Sequence, residues 1–159
     1  MLLLDDMLLR LLAAVVFGAV VGIERELAGK EAGFRTDIMV AAGAAIFSIV
    51  SISLPYLLAL SPENLAEMLA RNGGFLGALS NVVVGVGFLG AGIIIRQGVH
   101  VYGLTTAATI WFVAAIGVLC GIGLWEFAGI AAVGLSALLF ILRELNIPRF
   151  GRRGNEDHA

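Results

Sequence analysis

The sequence predicts an all-α polytopic membrane protein, a bundle of about five transmembrane helices with its N-terminus outside and its C-terminus inside. Three observations predict this fold class. Hydrophobic residues make up 60% of the chain and charged residues only 14%, and the mean hydropathy is +1.00. Long stretches contain no ionisable residue, and lysine and arginine fall mainly in alternate connecting segments. A soluble domain of 159 residues needs a more polar surface, so soluble enzymes, disordered chains and disulfide scaffolds are excluded.

The candidate spans follow from the roughly 20 apolar residues that a helix needs to cross a bilayer. The first is expected at residues 7–23, with Arg10 near its outer end. Residues 38–60 and 73–95 contain no ionisable residue, so each is long enough for one crossing. The next apolar stretch is too long for a single helix. Its Gly121-Ile122-Gly123 sequence predicts a tight reversal between spans at residues 104–120 and 124–142.

The orientation follows from the distribution of lysine and arginine. With the N-terminus outside, the outer segments contain only Arg10 and Arg71. The inner segments contain the other eight: Arg25, Lys30, Arg35, Arg96, Arg143, Arg149, Arg152 and Arg153.

Two segments lie outside the spans. Ser61-Pro62-Glu63 has the pattern of an N-cap, a first-turn proline and a first-turn acid, and predicts a short helix to about Arg71 on the outer surface. Residues 1–142 are expected to form one transmembrane domain, and residues 143–159 a short cytoplasmic tail that is mostly disordered.

Small residues recur at helical spacing on four of the spans, as expected where helices associate by close packing in lipid. The first stripe is Ala14, Gly18 and Gly22, and the second is Asp37, Ala41, Ala44, Ser48 and Ser51. The third is Gly77, Asn81, Gly85, Phe88 and Gly92, and the fourth is Thr105, Ala108 and Thr109. These stripes predict a compact bundle with closely approaching backbones.

The glycine-rich segment from Gly85 to Gly92 formally matches a dinucleotide-binding fingerprint. That fingerprint binds a cofactor only where a strand ends and a helix begins, whereas this segment lies inside a span. Helix packing is the favoured interpretation. A break in the helix that exposes carbonyl groups to an ion is the alternative.

Asn81 is a polar amide within the third span. A buried amide in a membrane needs hydrogen-bond partners, so structural contact with a neighbouring helix is favoured over contact with a ligand.

Charged residues concentrate around the first inner loop, from Glu24 to Asp37. A solvated loop would account for them, but ionisable groups at the ends of packed helices are also candidates for function. Glu24 could pair with Arg35, or Arg25 with Asp37. One or two carboxylates could bind Mg²⁺, but the interleaved arginines favour an ion-pair latch or a partner contact over a metal site.

Catalysis finds little support. The histidines lie in a loop and in the tail, metal-ligand spacing of His or Cys is absent, and no serine has the context of a nucleophile. The chain is not expected to be an enzyme, and no catalytic, cofactor-binding or metal-binding residue is assigned.

Three motifs in order resemble the signatures of the MgtC/SapB family of membrane proteins. The first is Gly22-Ile23-Glu24-Arg25-Glu26 followed by Gly29-Lys30 and Ala32-Gly33-Phe34-Arg35-Thr36. The second is the glycine-rich segment from Gly85 to Gly92. The third is Gly103-Leu104-Thr105-Thr106-Ala107-Ala108, followed by Trp111 and Ala114-Ala115-Ile116-Gly117.

The resemblance covers residues 8–142 and implies about five helices with the C-terminus inside. It implies a signature cluster of Glu24, Arg25, Glu26, Gly29, Lys30, Gly33, Arg35, Thr36 and Asp37. It also implies a packing element of Gly85, Gly87, Gly90 and Gly92. Together with the polar residues of the spans, these glycines form the candidate set of packing and intramembrane polar residues; the polar residues are Asn81, Thr105, Thr106 and Thr109. Longer members of the family carry a soluble C-terminal domain, which these 159 residues do not include.

The resemblance also implies a role in adaptation to magnesium limitation and, in pathogens, in virulence. We expect a multi-pass protein of the bacterial inner membrane that acts as a regulatory or interaction module in magnesium and membrane-energy homeostasis. A small magnesium or other cation transporter working as an oligomer is the alternative. The expected partners are lipid and other membrane proteins, including the membrane sector of the ATP synthase by family resemblance, and a second copy of the chain. Nucleic acid is not expected to bind, and Mg²⁺ stays open as a ligand.

Overall fold

The computed structural model describes residues 2–59, 61–71 and 74–145. Helices dominate these residues, and one short β-hairpin lies between the fourth and fifth helices. In chain order the elements are α1 (Leu4–Leu27), α2 (Phe34–Leu58), α3 (Pro62–Arg71), α4 (Gly74–Ile93), β1 (Ile95–Gln97), β2 (His100–Tyr102), α5 (Leu104–Gly121) and α6 (Trp125–Glu144).

In the described part of the chain, four helices are long and apolar enough to cross a membrane: α1, α2, α5 and α6. The apolar part of α4, Gly77–Ile93, is shorter. The all-α polytopic fold class predicted from the sequence is confirmed. The side of the membrane on which each end lies stays a prediction, and the predicted disordered tail falls almost wholly outside the described residues.

The two helices of the first hairpin extend further into the charged segment than the sequence predicted. The first predicted span ends at residue 23, but α1 continues to Leu27 and therefore includes Glu24, Arg25 and Glu26. Helix α2 begins at Phe34, so Asp37 lies in its first turn. Charged residues continue a helix without breaking its backbone hydrogen bonds when their side chains reach the polar end of a bundle.

The centre of the bundle is the packing of α1, α2 and α5 through small residues. The predicted stripes of α1 and α2 are confirmed at most positions, since Gly18, Gly22, Ala41, Ala44 and others of these stripes are buried. A Cβ atom on Gly18 would lie 2.9 Å from the carbonyl oxygen of Asp37, and one on Gly22 would lie 2.7 Å from the Cα atom of Phe34. Helix α5 approaches α2 as closely, because Gly117 lies against the carbonyl group of Ala41.

The connections at the two ends of the bundle are tight. The predicted reversal between α5 and α6 is present, with Gly123 at φ +92°. There the Arg10 guanidinium donates to the Gly121 carbonyl oxygen at 2.9 Å and pairs with Asp6 at 3.0 Å. At the opposite end, β1 and β2 pair as an antiparallel hairpin whose turn contains Gly98 at φ +60°. The sequence did not predict this hairpin, because two strands of three residues are too short to give an alternating pattern.

The described parts of the segments predicted to face inside lie at one end of the bundle. Arg143, at the end of α6, donates to the carbonyl oxygen of Leu27, at the end of α1, at 3.2 Å. The loop between α1 and α2 contacts Thr106 near the start of α5. Because the reversal at Gly123 lies at the other end, the connections alternate between the two ends of the bundle, which agrees with the distribution of lysine and arginine.

The close contact at Gly22 makes a test of the core packing. We expect Gly22→Ala to destabilise the protein by about 1–3 kcal/mol, because the added methyl group meets the Phe34 backbone, which cannot rotate away. Thermal unfolding in detergent measures the change. Gly134→Ala on α6 is the matched control, since a Cβ atom there meets nothing within 4 Å. Equal melting temperatures for the two variants would show that α1 and α2 do not approach as closely as described.

Candidate functional site

The loop between α1 and α2 is closed by its own residues. The Glu26 carboxylate accepts a hydrogen bond from the backbone N–H of Phe34 at 2.9 Å and so caps the first turn of α2. Gly33 lies directly against that carboxylate, where any side chain would displace it. Gly29 ends α1 at φ +64°, a conformation that favours glycine. Three residues of the signature cluster therefore shape the loop.

Arg25 turns away from the loop and into the bundle. Its side chain is 2% exposed, and its Nη2 atom lies 3.4 Å from the hydroxyl oxygen of Thr106 on α5. The Thr106 hydroxyl in turn donates to the Glu31 carboxylate at 2.9 Å. Thr106, in the third motif, therefore contacts both the buried Arg25 of the first motif and Glu31 in the loop.

Glu31 is the acid whose protonation this arrangement affects. A hydrogen bond from its own backbone N–H and the one from Thr106 lower the pKa of Glu31 below its ordinary value of 4.5. Lys30 and Arg25 lower it further. Glu31 is therefore ionised at neutral pH, and its negative charge is held near the positive charge of Arg25.

Asp37 is the most deeply buried ionisable residue of the cluster. Its side chain is 0% exposed and packs against α1 at Gly22. Neither carboxyl oxygen has a hydrogen-bond partner among the described residues. One carboxyl oxygen of Glu24 and the Nε atom of Arg25 are likewise buried without a partner. We name Glu24, Arg25, Glu31, Asp37 and Thr106 the charged junction.

The ion pairs expected from the sequence do not form. Within the described residues, neither Arg25 and Asp37 nor Glu24 and Arg35 come within salt-bridge distance. Arg25 is directed to α5 instead, and Arg35 lies exposed at the surface. Lys30 and Thr36 are half-buried, and their side chains take no part in the hydrogen bonds of the junction. In the same part of the chain, no group of three or more His, Cys, Asp or Glu side chains could hold a metal ion.

The glycine-rich helix α4 packs less closely than the sequence predicted. Gly90 contacts Ala107 of α5, and a Cβ atom there would lie 3.4 Å from the Ala107 side chain. A Cβ atom on Gly85, Gly87 or Gly92 would meet nothing within 4 Å, so these glycines do not pack against the rest of the described chain. The reason is geometric: among the glycines of α4, only Gly90, near the C-terminal end of the helix, has a neighbouring helix within 4 Å of a Cβ atom in the described structure.

A groove separates α4 from α2. Its volume is about 510 Å³. The walls are apolar apart from Asn81, and Met39, Gly43, Phe47, Val82, Gly85 and Val86 are among the lining residues. Asn81 was expected to be buried against a neighbouring helix, but its side chain is exposed in this groove. It forms no hydrogen bond with a described residue.

The threonines of α5 divide by face. Thr106 and Thr109 are buried and Thr105 is exposed. The Thr109 hydroxyl donates to the Thr105 carbonyl oxygen of its own helix at 2.9 Å, so it needs no partner from another helix. Glu31 lies in the charged segment that the sequence singled out, but it is not part of the signature cluster, and the groove was not predicted. The contact of Glu31 with Thr106 could not be predicted from local sequence, because Thr106 lies 75 residues further along the chain.

Comparisons with known proteins agree with the three motifs. A family model described as the MgtC family matches residues 11–147. The chain is 41% identical to Protein MgtC of Salmonella typhimurium over 137 residues, which is 86% of this chain and 52% of that protein. It is 38% identical to Protein MgtC of Brucella abortus over 135 residues, which is 85% of this chain and 50% of that protein. The chain thus spans about half the length of these relatives. No solved structure matches.

The hydrogen bond between Thr106 and Glu31 predicts a dependence of stability on pH. A carboxyl group with a lowered pKa in the folded state stabilises the protein above its unfolded value, here 4.5, and this contribution is lost as the pH falls through the folded pKa. We expect Thr106→Val to lower the melting temperature at neutral pH by a few degrees. The difference from the unsubstituted protein should shrink below pH 4.5. Thr105→Val, on the exposed face of α5, should leave the whole pH profile unchanged. A difference that persists at low pH would show that the hydroxyl acts without Glu31.

Proposed function

Because the chain belongs to the MgtC family of multi-pass membrane proteins, we propose that it is an interaction module that binds another membrane protein through the groove between α2 and α4. The cellular context proposed from the family resemblance is adaptation to magnesium limitation and regulation of membrane energy at the bacterial inner membrane. The single observation that carries the proposal is Asn81, a polar amide exposed in an apolar groove within a helix of the bundle.

The chemistry of the groove favours a transmembrane helix as its occupant. In lipid, helices associate by close approach and by hydrogen bonds between polar side chains, since lipid tails are as apolar as leucine. Gly43 and Gly85 leave opposite walls of the groove open to a close-packed helix. Asn81 can both donate and accept a hydrogen bond, and lipid tails offer neither partner.

The partner proposed from the resemblance is a protein of the ATP synthase membrane sector. A second copy of the chain is the other candidate, because the open face of α4 could meet itself across a two-fold axis. The relatives are about twice as long as this chain, so the proposal concerns only what this membrane domain binds.

The groove can be tested by photo-crosslinking in cells grown at low magnesium. A photoreactive residue in place of Phe47, which lines the groove, should yield an adduct with another membrane protein. The same residue in place of Val133, exposed on α6, is the position control. Asn81→Leu should reduce the adduct at least about threefold, because it removes an interhelical hydrogen bond and blocks close approach. Ser80→Leu, exposed on α4 outside the groove lining, should not. Equal adducts from both positions, or none from position 47, would contradict the proposal.

A cation transporter is the second candidate, favoured by one observation. Asp37 is a fully buried carboxyl group whose two oxygens have no hydrogen-bond partner in the described part of the chain, and such groups are frequent on ion pathways. An oligomer could complete a pathway that starts at this residue.

Magnesium flux into sealed proteoliposomes separates the two candidates. For the interaction module, we expect flux no greater than in protein-free liposomes. Flux that is present in the unsubstituted protein, retained in Asp5→Asn and lost in the Asp37→Asn, Glu24→Gln double variant would establish transport through the charged junction. Circular dichroism and a shared elution volume confirm that each variant is folded.

A further inference from the structure

The positive charge near Asp37 is too small to neutralise both Asp37 and the neighbouring Glu24. Helix α1 presents Glu24 and Arg25 to Asp37, and both act on it electrostatically. Helix α5 has no Asp, Glu, Lys, Arg or His between Leu104 and Gly121, and α4 has none between Gly74 and Ile93. On α2 itself, Arg35 is exposed. Arg25 is thus the one cation near Asp37 among the described residues.

Arg25 makes its side-chain hydrogen bond elsewhere, and its Nε atom, which has no partner among the described residues, forms no salt bridge with Asp37. Its guanidinium lies beside the Thr106 hydroxyl, which donates to the ionised Glu31. No salt bridge joins Arg25 to Asp37, and neither oxygen of Asp37 accepts a hydrogen bond from any described group. An ionised carboxylate would therefore be buried without a hydrogen bond or a paired charge, which is strongly unfavourable inside a protein.

We propose that Asp37 is a proton-binding site, and that its carboxyl group carries a proton in the folded protein at neutral pH. The proton adds to one carboxylate oxygen and neutralises the charge, as the surroundings of Asp37 require. A metal ion fits less well, because hard cations take several oxygen ligands and the described residues form no such group. The nearby positive charge of Arg25 also repels a cation.

The proposal has a thermodynamic consequence. An unfolded chain releases this proton at neutral pH, whereas the folded protein retains it. Because the folded state then binds more protons than the unfolded state, the equilibrium constant of unfolding should rise with pH above the ordinary pKa of an aspartate, by up to about tenfold per pH unit, until the folded protein also releases the proton. Loss of the proton would place an unpaired charge at the contact between α1 and α2, so Asp37 links their packing to proton concentration. The site is independent of the groove, and either proposal can fail without the other.

Infrared spectroscopy of the full chain in lipid nanodiscs tests the proposal directly. Labelling aspartate with ¹³C isolates the four aspartates of the sequence. We expect an isotope-shifted C=O stretching band of a protonated carboxyl group at neutral pH. The band should vanish in Asp37→Asn and persist in Asp5→Asn. Absence of the band from the unsubstituted protein at neutral pH would overturn the proposal.

Stability measurements give a second, independent readout. Asn has nearly the shape of a neutral aspartic acid, so Asp37→Asn should fold, and its unfolding should lose this dependence on pH. A shift of the melting temperature by MgCl₂ or NaCl that Asp37→Asn abolishes would identify a cation site and overturn the proton assignment. A variant that fails to fold would also count against the proposal, because it would show that the negative charge of Asp37 is needed.

Discussion

The close contact between α1 and α2 at glycine positions determines the packing and burial of the residues around it. A bilayer gives helices no hydrophobic reason to associate, so their attraction comes from backbones that approach closely. Gly18 and Gly22 bring the α1 backbone to the first turns of α2, and Gly117 brings α5 to the other side. Asp37 is buried because this contact leaves no space for water. The same contact places Arg25 where the hydroxyl of Thr106 can reach it.

Helix α4 differs from the other helices of the bundle because its close contacts lie near one end. Gly90 touches Ala107, and Gly103 is pressed against the carbonyl group of Ile93. Along residues 78–89 of α4, clefts of about 510 and 290 Å³ separate this helix from α2 and α5. The protein therefore combines a tightly packed region that holds the charged junction with a helix that leaves open clefts beside it. The two proposals, proton binding and partner binding, therefore concern separate parts of the same bundle.

The sequence predicted where the helices lie along the chain better than it predicted which residues of different helices are in contact. The length of the apolar stretches predicted the spans, and the glycines around residue 122 predicted the reversal at Gly123. The predicted cap at Ser61 is also present, since its hydroxyl accepts a hydrogen bond from the Asn64 N–H at 3.1 Å. The stripes of α1 and α2 are buried as expected, but a stripe of small residues identifies a face suited to packing and not the helix that covers it. The stripe of α4 shows this limit, since Gly85 faces open space. Arg25 could not be assigned for a related reason, because its partner on α5 is 81 residues away.

The hydrogen bonds that close the first loop have a consequence for synthesis of the chain. Lys30 and Gly29 bond back to the end of α1, and Glu26 caps α2, so the helical hairpin is complete within its own residues. It can form in the bilayer as soon as α2 has been made. Arg25 then lacks its hydroxyl partner until the ribosome has made α5. A buried guanidinium without a partner is costly in lipid, so α5 supplies the hydroxyl that Arg25 needs when the bundle closes around it.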